Sequence, residues 1–145
     1  PLKSSTLIHN MHSSAGSCKY MEDIRPITQA DLIGTWKLID FKITKPDGHT
    51  KDWGPKSNGI LMYDATGHMS TSINSGADAE TAAKDLDKHI LFYAGTYQLK
   101  HNQITHFVTN ASNPLRVGKS FVRDAEISDK KYLRLTAEGD YGHAS

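Results

Sequence analysis

The chain has one cysteine, Cys18, in 145 residues. An intramolecular disulfide is excluded, and the fold must stand on packing. No apolar run approaches the ~20 residues a helical membrane span needs. Charge of one sign is also missing: 17 basic and 16 acidic residues are mixed along the chain, for a net charge of +1. No basic block forms an electrostatic footprint for nucleic acid. Eight histidines are present. None forms a His-x-His or His-x-x-x-His pair on a predicted element, so no metal is expected. No Gly-x-Ser-x-Gly, P-loop or GxGxxG occurs, and no cofactor is expected.

Residues 1–27 are polar, small and aperiodic, as in Ser4-Ser5 and Ser13-Ser14-Ala15-Gly16-Ser17. That composition does not offset its ordering entropy, so a disordered or leader-derived tail is expected. Met21 and Met11 are candidate starts within it. The tail has no h-region of a signal peptide, and an unpaired cysteine fits a reducing compartment, so a cytoplasmic location is expected. One domain is expected over 28–138, with 139–145 frayed.

The rest of the chain reads as strands. Thr28 to Leu32 is a short helical turn, with Asp31 three residues after the N-cap Thr28. Gly34-Thr35-Trp36 then opens a strand to Thr44. Gly34 permits a tight turn. Trp36 is large enough to plug one end of a small barrel, with its indole N–H on a backbone acceptor. The alternation slips near Ile39-Asp40, which signals a bulge. Pro46-Asp47-Gly48, Asp64 to Gly67, His101-Asn102 and Ser128 to Lys131 are turns. Strands are expected at 59–63, 68–73, 95–100, 103–109, 118–127 and 132–136, with a short one near Trp53. Setting Tyr63 opposite His68 puts Met62 against Met69 on one face.

Between these strands Ala79, Ala82, Ala83, Leu86, Ile90 and Tyr93 recur at helical steps. Asp78 is the N-cap. One long helix near 78–93, lying across a barrel mouth or along its side, is expected.

Many short strands, hairpin turns and one helix argue for an antiparallel all-β domain. A closed barrel of roughly eight strands is preferred to a two-sheet sandwich, because closure removes exposed edges and long strands suit a shared sheet.

Four blocks resemble the lipocalin-like domain family of bacterial and fungal proteins. These are Leu32 to Leu38, Trp53 to Tyr63 with Gly67 to Ser70, Tyr93 to Tyr97, and Thr105-His106 with Asn113-Pro114, Val117-Gly118 and Arg123. The resemblance covers about residues 31–137 and implies a lipocalin-type (calycin) barrel with a cavity. It implies no substrate, since most members have no assigned activity.

Arg123 is the most informative polar residue. Phe121, Ala125 and Ile127 share its parity, and a buried guanidinium needs a partner. If Ile104 pairs with Arg123, His106 projects to the same side, and the two can hold a carboxylate. A structural Arg123 held by an internal acceptor is the alternative. Tyr63, Met62, Met69, Tyr97, Phe92 and Phe121 complete the candidate ligand-binding set. Met62 and Met69 line an adaptable cavity in this reading, and Phe92, Tyr93 and Tyr97 cap the mouth.

Three functions compete. The first is binding of one small apolar or amphipathic molecule, with Arg123 and His106 orienting an anionic end. The second is an isomerase, cyclase or hydratase using His106 or Tyr63 as acid–base with Arg123 stabilising charge. The third is a barrel filled by Trp36, Met62, Met69, Phe107 and Phe121 that acts as an interaction module or homodimer.

Overall fold

The computed structural model describes residues 3–11 and 26–138. Nine strands run in chain order: β1 (Lys3–Asn10), β2 (Gly34–Thr44), β3 (Thr50–Asp52), β4 (Asn58–Tyr63), β5 (His68–Asn74), β6 (Ile90–Lys100), β7 (Gln103–Ala111), β8 (Ser120–Ser128) and β9 (Tyr132–Glu138). They form one antiparallel sheet in the order β1-β9-β8-β7-β6-β5-β4-β2-β3. A further β1–β2 pairing closes it into a barrel, with β3 outside on β2.

The expected barrel is present, but the strand that closes it falls inside the expected tail. Lys3–Asn10 pairs with β2 on one side and with β9 on the other. Its alternation is weak, yet Ser4 and Ile8 are buried. Two ladders supply the backbone partners that a small polar segment cannot find alone. The rest of the expected tail and the expected frayed end lie largely or wholly outside the described residues.

The Trp36 end is closed as its residues suggest. Trp36 is 0 % exposed, and its indole N–H donates to the Leu32 carbonyl at 2.8 Å. That carbonyl ends α1 (Gln29–Leu32), where the Asp31 carboxylate accepts from the Thr28 N–H at 2.8 Å. The bulge is where expected: Leu7 faces Asp40 while Ile8 faces Leu38, leaving Ile39 unpaired with β1. The His101-Asn102 and Asp129-Lys130 turns put both central residues at positive φ, the geometry that suits a twisted two-residue hairpin.

The long helix is replaced by two short ones, α2 (Ala79–Lys84) and α3 (Leu86–His89), separated at Asp85. Asp78 caps the first, accepting from the Thr81 N–H at 2.9 Å. Neither helix buries a residue. The small alanine face offers little apolar area, and Ile90-Leu91-Phe92-Tyr93 are taken by β6 instead, where β-branched and aromatic residues pack well.

The second correction is a register. Tyr63 faces Met69, not His68, because Asp64 extends the ladder by donating its N–H to the His68 carbonyl at 3.0 Å. A one-residue slip moves every side chain to the opposite face. Met69 therefore points inward with Tyr63, and Met62 and His68 point outward.

Candidate functional site

The barrel interior has a polar centre. Ile104 pairs with Arg123 and His106 with Phe121, as expected for the β7–β8 hairpin. His106 is fully buried. The Tyr63 hydroxyl lies 2.7 Å from its Nε2 and the Tyr93 hydroxyl 2.6 Å from its Nδ1. Tyr63 comes from β4 and Tyr93 from β6, so three strands of the closed sheet converge on one imidazole.

Burial, and then the Arg123 charge, hold His106 well below the ordinary histidine range. The imidazole is neutral, with one N–H and one bare nitrogen. One tyrosine donates to it and the other accepts from it. Burial, and then Tyr93, push the Tyr63 hydroxyl well above the usual tyrosine range. Tyr63 lies fully inside the core, whereas Tyr93 also lines a cavity. A buried donor left over is costly. The favoured tautomer therefore has Tyr63 donating to Nε2 and Nδ1–H donating to Tyr93. This leaves the Tyr93 O–H for a partner other than the imidazole.

Since the folded-state pKa of His106 is depressed, its stabilising contribution is present above about pH 6.5 and is lost as pH falls. Below that point the unfolded chain takes up a proton that the folded chain refuses. Stability is expected to drop by about 1.4 kcal/mol per pH unit until the folded-state pKa is reached. Urea melts between pH 7 and pH 5 measure this slope. It should flatten in His106→Phe once that variant's own stability is normalised.

The cavity itself is about 40 Å³. That is several times what one water needs, and far below the roughly 300–1,000 Å³ of a drug-sized pocket. Its polar wall is Ser4, Thr6, Thr71, Tyr93 and Arg123, and the remaining wall is aliphatic and aromatic. Arg123 is 9 % exposed, and its guanidinium carbon sits 5.5 Å from the Phe121 ring centre. The arginine is indoors, and the hollow it faces is small.

Of the eight candidate ligand residues, Arg123 alone lines this cavity. His106 and Tyr63 lie behind Tyr93. Met69 fills the core opposite Tyr63. Phe121 supports the guanidinium. Tyr97 belongs to the closed end, where its hydroxyl donates to the Asp64 carbonyl at 2.8 Å and accepts from Gln29 at 3.2 Å. Met62 and Phe92 are corrected outright, since each is on the outward parity of its strand. Phe107, expected as filling, is outward too, at 39 % exposure. Four polar wall residues were missed as ligand groups: Ser4, Thr6, Thr71 and Tyr93. Thr71 follows from the corrected register, and Tyr93 from recognising 90–93 as strand. Ser4 and Thr6 carry no local signal, because their role depends on β1 joining the sheet.

Among the described residues no group of three or more His, Cys, Asp or Glu is placed to hold a metal ion. No helix there is long and apolar enough to cross a membrane.

Comparison with known protein families matches residues 33–143 to the lipocalin-like domain. The chain belongs to the lipocalin-like domain family. The match begins just before β2, so this lipocalin-like barrel draws its closing strand, and the Ser4 and Thr6 wall, from outside the matched span. No curated protein and no solved structure matches the chain. The lipocalin-like barrel suggests small-molecule binding in general.

Proposed function

We propose that this barrel binds one small molecule with an apolar body and an anionic end, and that Arg123 receives the anion. The observation that supports this reading is Arg123 in the wall of an otherwise largely apolar cavity that Tyr93 also lines. A cation held out of water is costly unless compensated. The guanidinium already donates to the Val122 carbonyl at 3.4 Å, and an oxyanion accepting from Arg123 and Tyr93 adds charge-assisted hydrogen bonds. With Tyr63 donating to Nε2, Tyr93 accepts from Nδ1–H and keeps its O–H as a donor, which suits an acceptor such as a carboxylate better than an amine.

Binding is favoured over acid–base catalysis for a structural reason. Serine, threonine, tyrosine and arginine form the described polar wall, and none of these is a base at neutral pH. His106 is buried behind Tyr93, with both ring nitrogens engaged.

Calorimetric titration of a short carboxylate against its uncharged primary amide tests the proposal. The carboxylate is expected to bind one-to-one and at least about tenfold more tightly than the amide. Equal affinities would end the proposal.

A further inference from the structure

The barrel wall is not sealed all the way round. β4 pairs with β2 only from Gly34↔Tyr63 to Lys37↔Ile60. β3 takes over that side of β2 at Lys42 to Thr44, and the Trp53 N–H caps the Phe41 carbonyl at 2.8 Å. Between these, Leu38 to Asp40 has β1 for a neighbour but no ladder partner on the β4 side. Asn58 and Gly59 of β4 likewise pair with β5 alone. The two strands diverge at this point.

Ile60 stands at the divergence. Its parity is outward and it is 37 % exposed, yet it lines the same cavity as Arg123. Ile60 therefore borders both the cavity and the outer surface of the sheet. An exposed apolar side chain lies to either side of it along the strands. Met62 follows two residues along the outer face of β4, at 39 % exposure, and Ile39 sits on the β2 bulge at 46 %. Lys37, exposed, is paired directly opposite Ile60.

We infer that the split between β2 and β4 is a lateral portal, and that the ligand is a single-chain carboxylate longer than the cavity. Its head lies inside against Arg123 and Tyr93, and its tail passes out over Ile60 onto Ile39. This rests on the anion reading of the cavity and adds to it the length of the ligand and the route it takes. Two observations point to this occupant. A hollow of about 40 Å³ has no room for an apolar chain, so any tail must leave it. Continuity also matters, because the apolar path begins in the wall that holds the cation and ends on the exposed Ile39 at the split. Lys37 at the rim gives the approaching carboxylate a favourable charge before the head is desolvated.

Straight-chain carboxylates from butanoate to dodecanoate, titrated into the full chain, test the portal. Affinity is expected to keep rising past the length the cavity holds, by about twofold to fourfold per methylene, because each is removed from water along the outer path. Ile39→Asp, on the outer path and not in the cavity wall, is expected to weaken dodecanoate by at least about tenfold and to leave butanoate within about twofold. Val122→Asp, an equally drastic change at an exposed apolar position on β8, is the control and should change neither. Affinity that stops growing after the first few methylenes overturns the portal, as does an Ile39→Asp effect that is absent or equal for both lengths. Either result leaves the anion site standing if butanoate binds and Arg123→Met abolishes that binding. Failure of every carboxylate to bind the unaltered chain overturns the anion reading itself, and the portal with it.

Discussion

Replacing Arg123 with methionine is expected to weaken carboxylate binding by about a hundredfold and to leave the fold intact. Losing the charged partner of a desolvated anion typically costs about 2–5 kcal/mol. Methionine keeps most of the volume against Phe121 and removes the desolvation cost of the guanidinium, so the thermal midpoint should move little or upward. Binding lost while stability is kept separates a ligand anchor from a structural arginine, whose removal would lower both. A second readout lies in the buried imidazole. The Arg123 charge is one of the two influences that hold His106 down, so its pKa should rise in the variant. Burial is the larger influence and remains, so the value should stay below the ordinary histidine range. Nitrogen-15 NMR of the imidazole follows that shift, and a His106 titration identical in both proteins would contradict the influence of the Arg123 charge on His106.

Deletion of Lys3–Asn10 is expected to be more damaging still. The strand pairs along its whole length with β2 and along most of it with β9, and it buries Ile8 completely. Truncating a side chain like Ile8 alone costs about 2–5 kcal/mol. Removing the strand adds two exposed edges, β2 and β9, which are templates for association with other chains. The shortened protein should melt at least about 10 °C lower and form soluble or insoluble aggregates on sizing chromatography. It should also lose carboxylate binding, since Ser4 and Thr6 leave the cavity wall. A shortened chain that stays monomeric with an unchanged midpoint would show that residues 3–10 do not close the barrel in solution.

The features that were legible in the sequence share a cause: each depends on residues close together in the chain. The Gly34-Thr35-Trp36 opening, the Asp78 cap and the positive-φ turns are short-range statements, and all are found. The Ile104–Arg123 pairing was legible because an arginine in an apolar parity class is conspicuous and the intervening hairpin limits the registers. The Tyr63–His68 pairing failed over a margin of one residue. Asp64 contributes its backbone to the ladder and its side chain to the turn, accepting from the Thr66 and His68 N–H groups at 2.9 Å. Nothing in the residue types dictates that choice, and it decides whether Met62 or Met69 enters the barrel. The helix over 78–93 failed for a related reason, because Ile90 and Tyr93 fit a helical spacing while the residue types of 90–93 suit a strand. The neighbouring strands β5 and β7 settle it by offering hydrogen-bond partners on both sides.

The sequence by itself determined an antiparallel barrel stopped at one end by Trp36 and carrying an arginine on its inner face. Periodicity, turn chemistry and the conspicuous charge suffice for that, because each is written in a few adjacent residues. Only the tertiary structure decided that Lys3–Asn10 closes the sheet, that His106 lies behind Tyr93 instead of lining the cavity, and that the hollow is small. Each of those depends on which strands stand next to one another across more than a hundred residues of chain or around a closed ring, as where Ser4 faces Ala137. Backbone pairing at that range is set by the whole sheet finding partners at once.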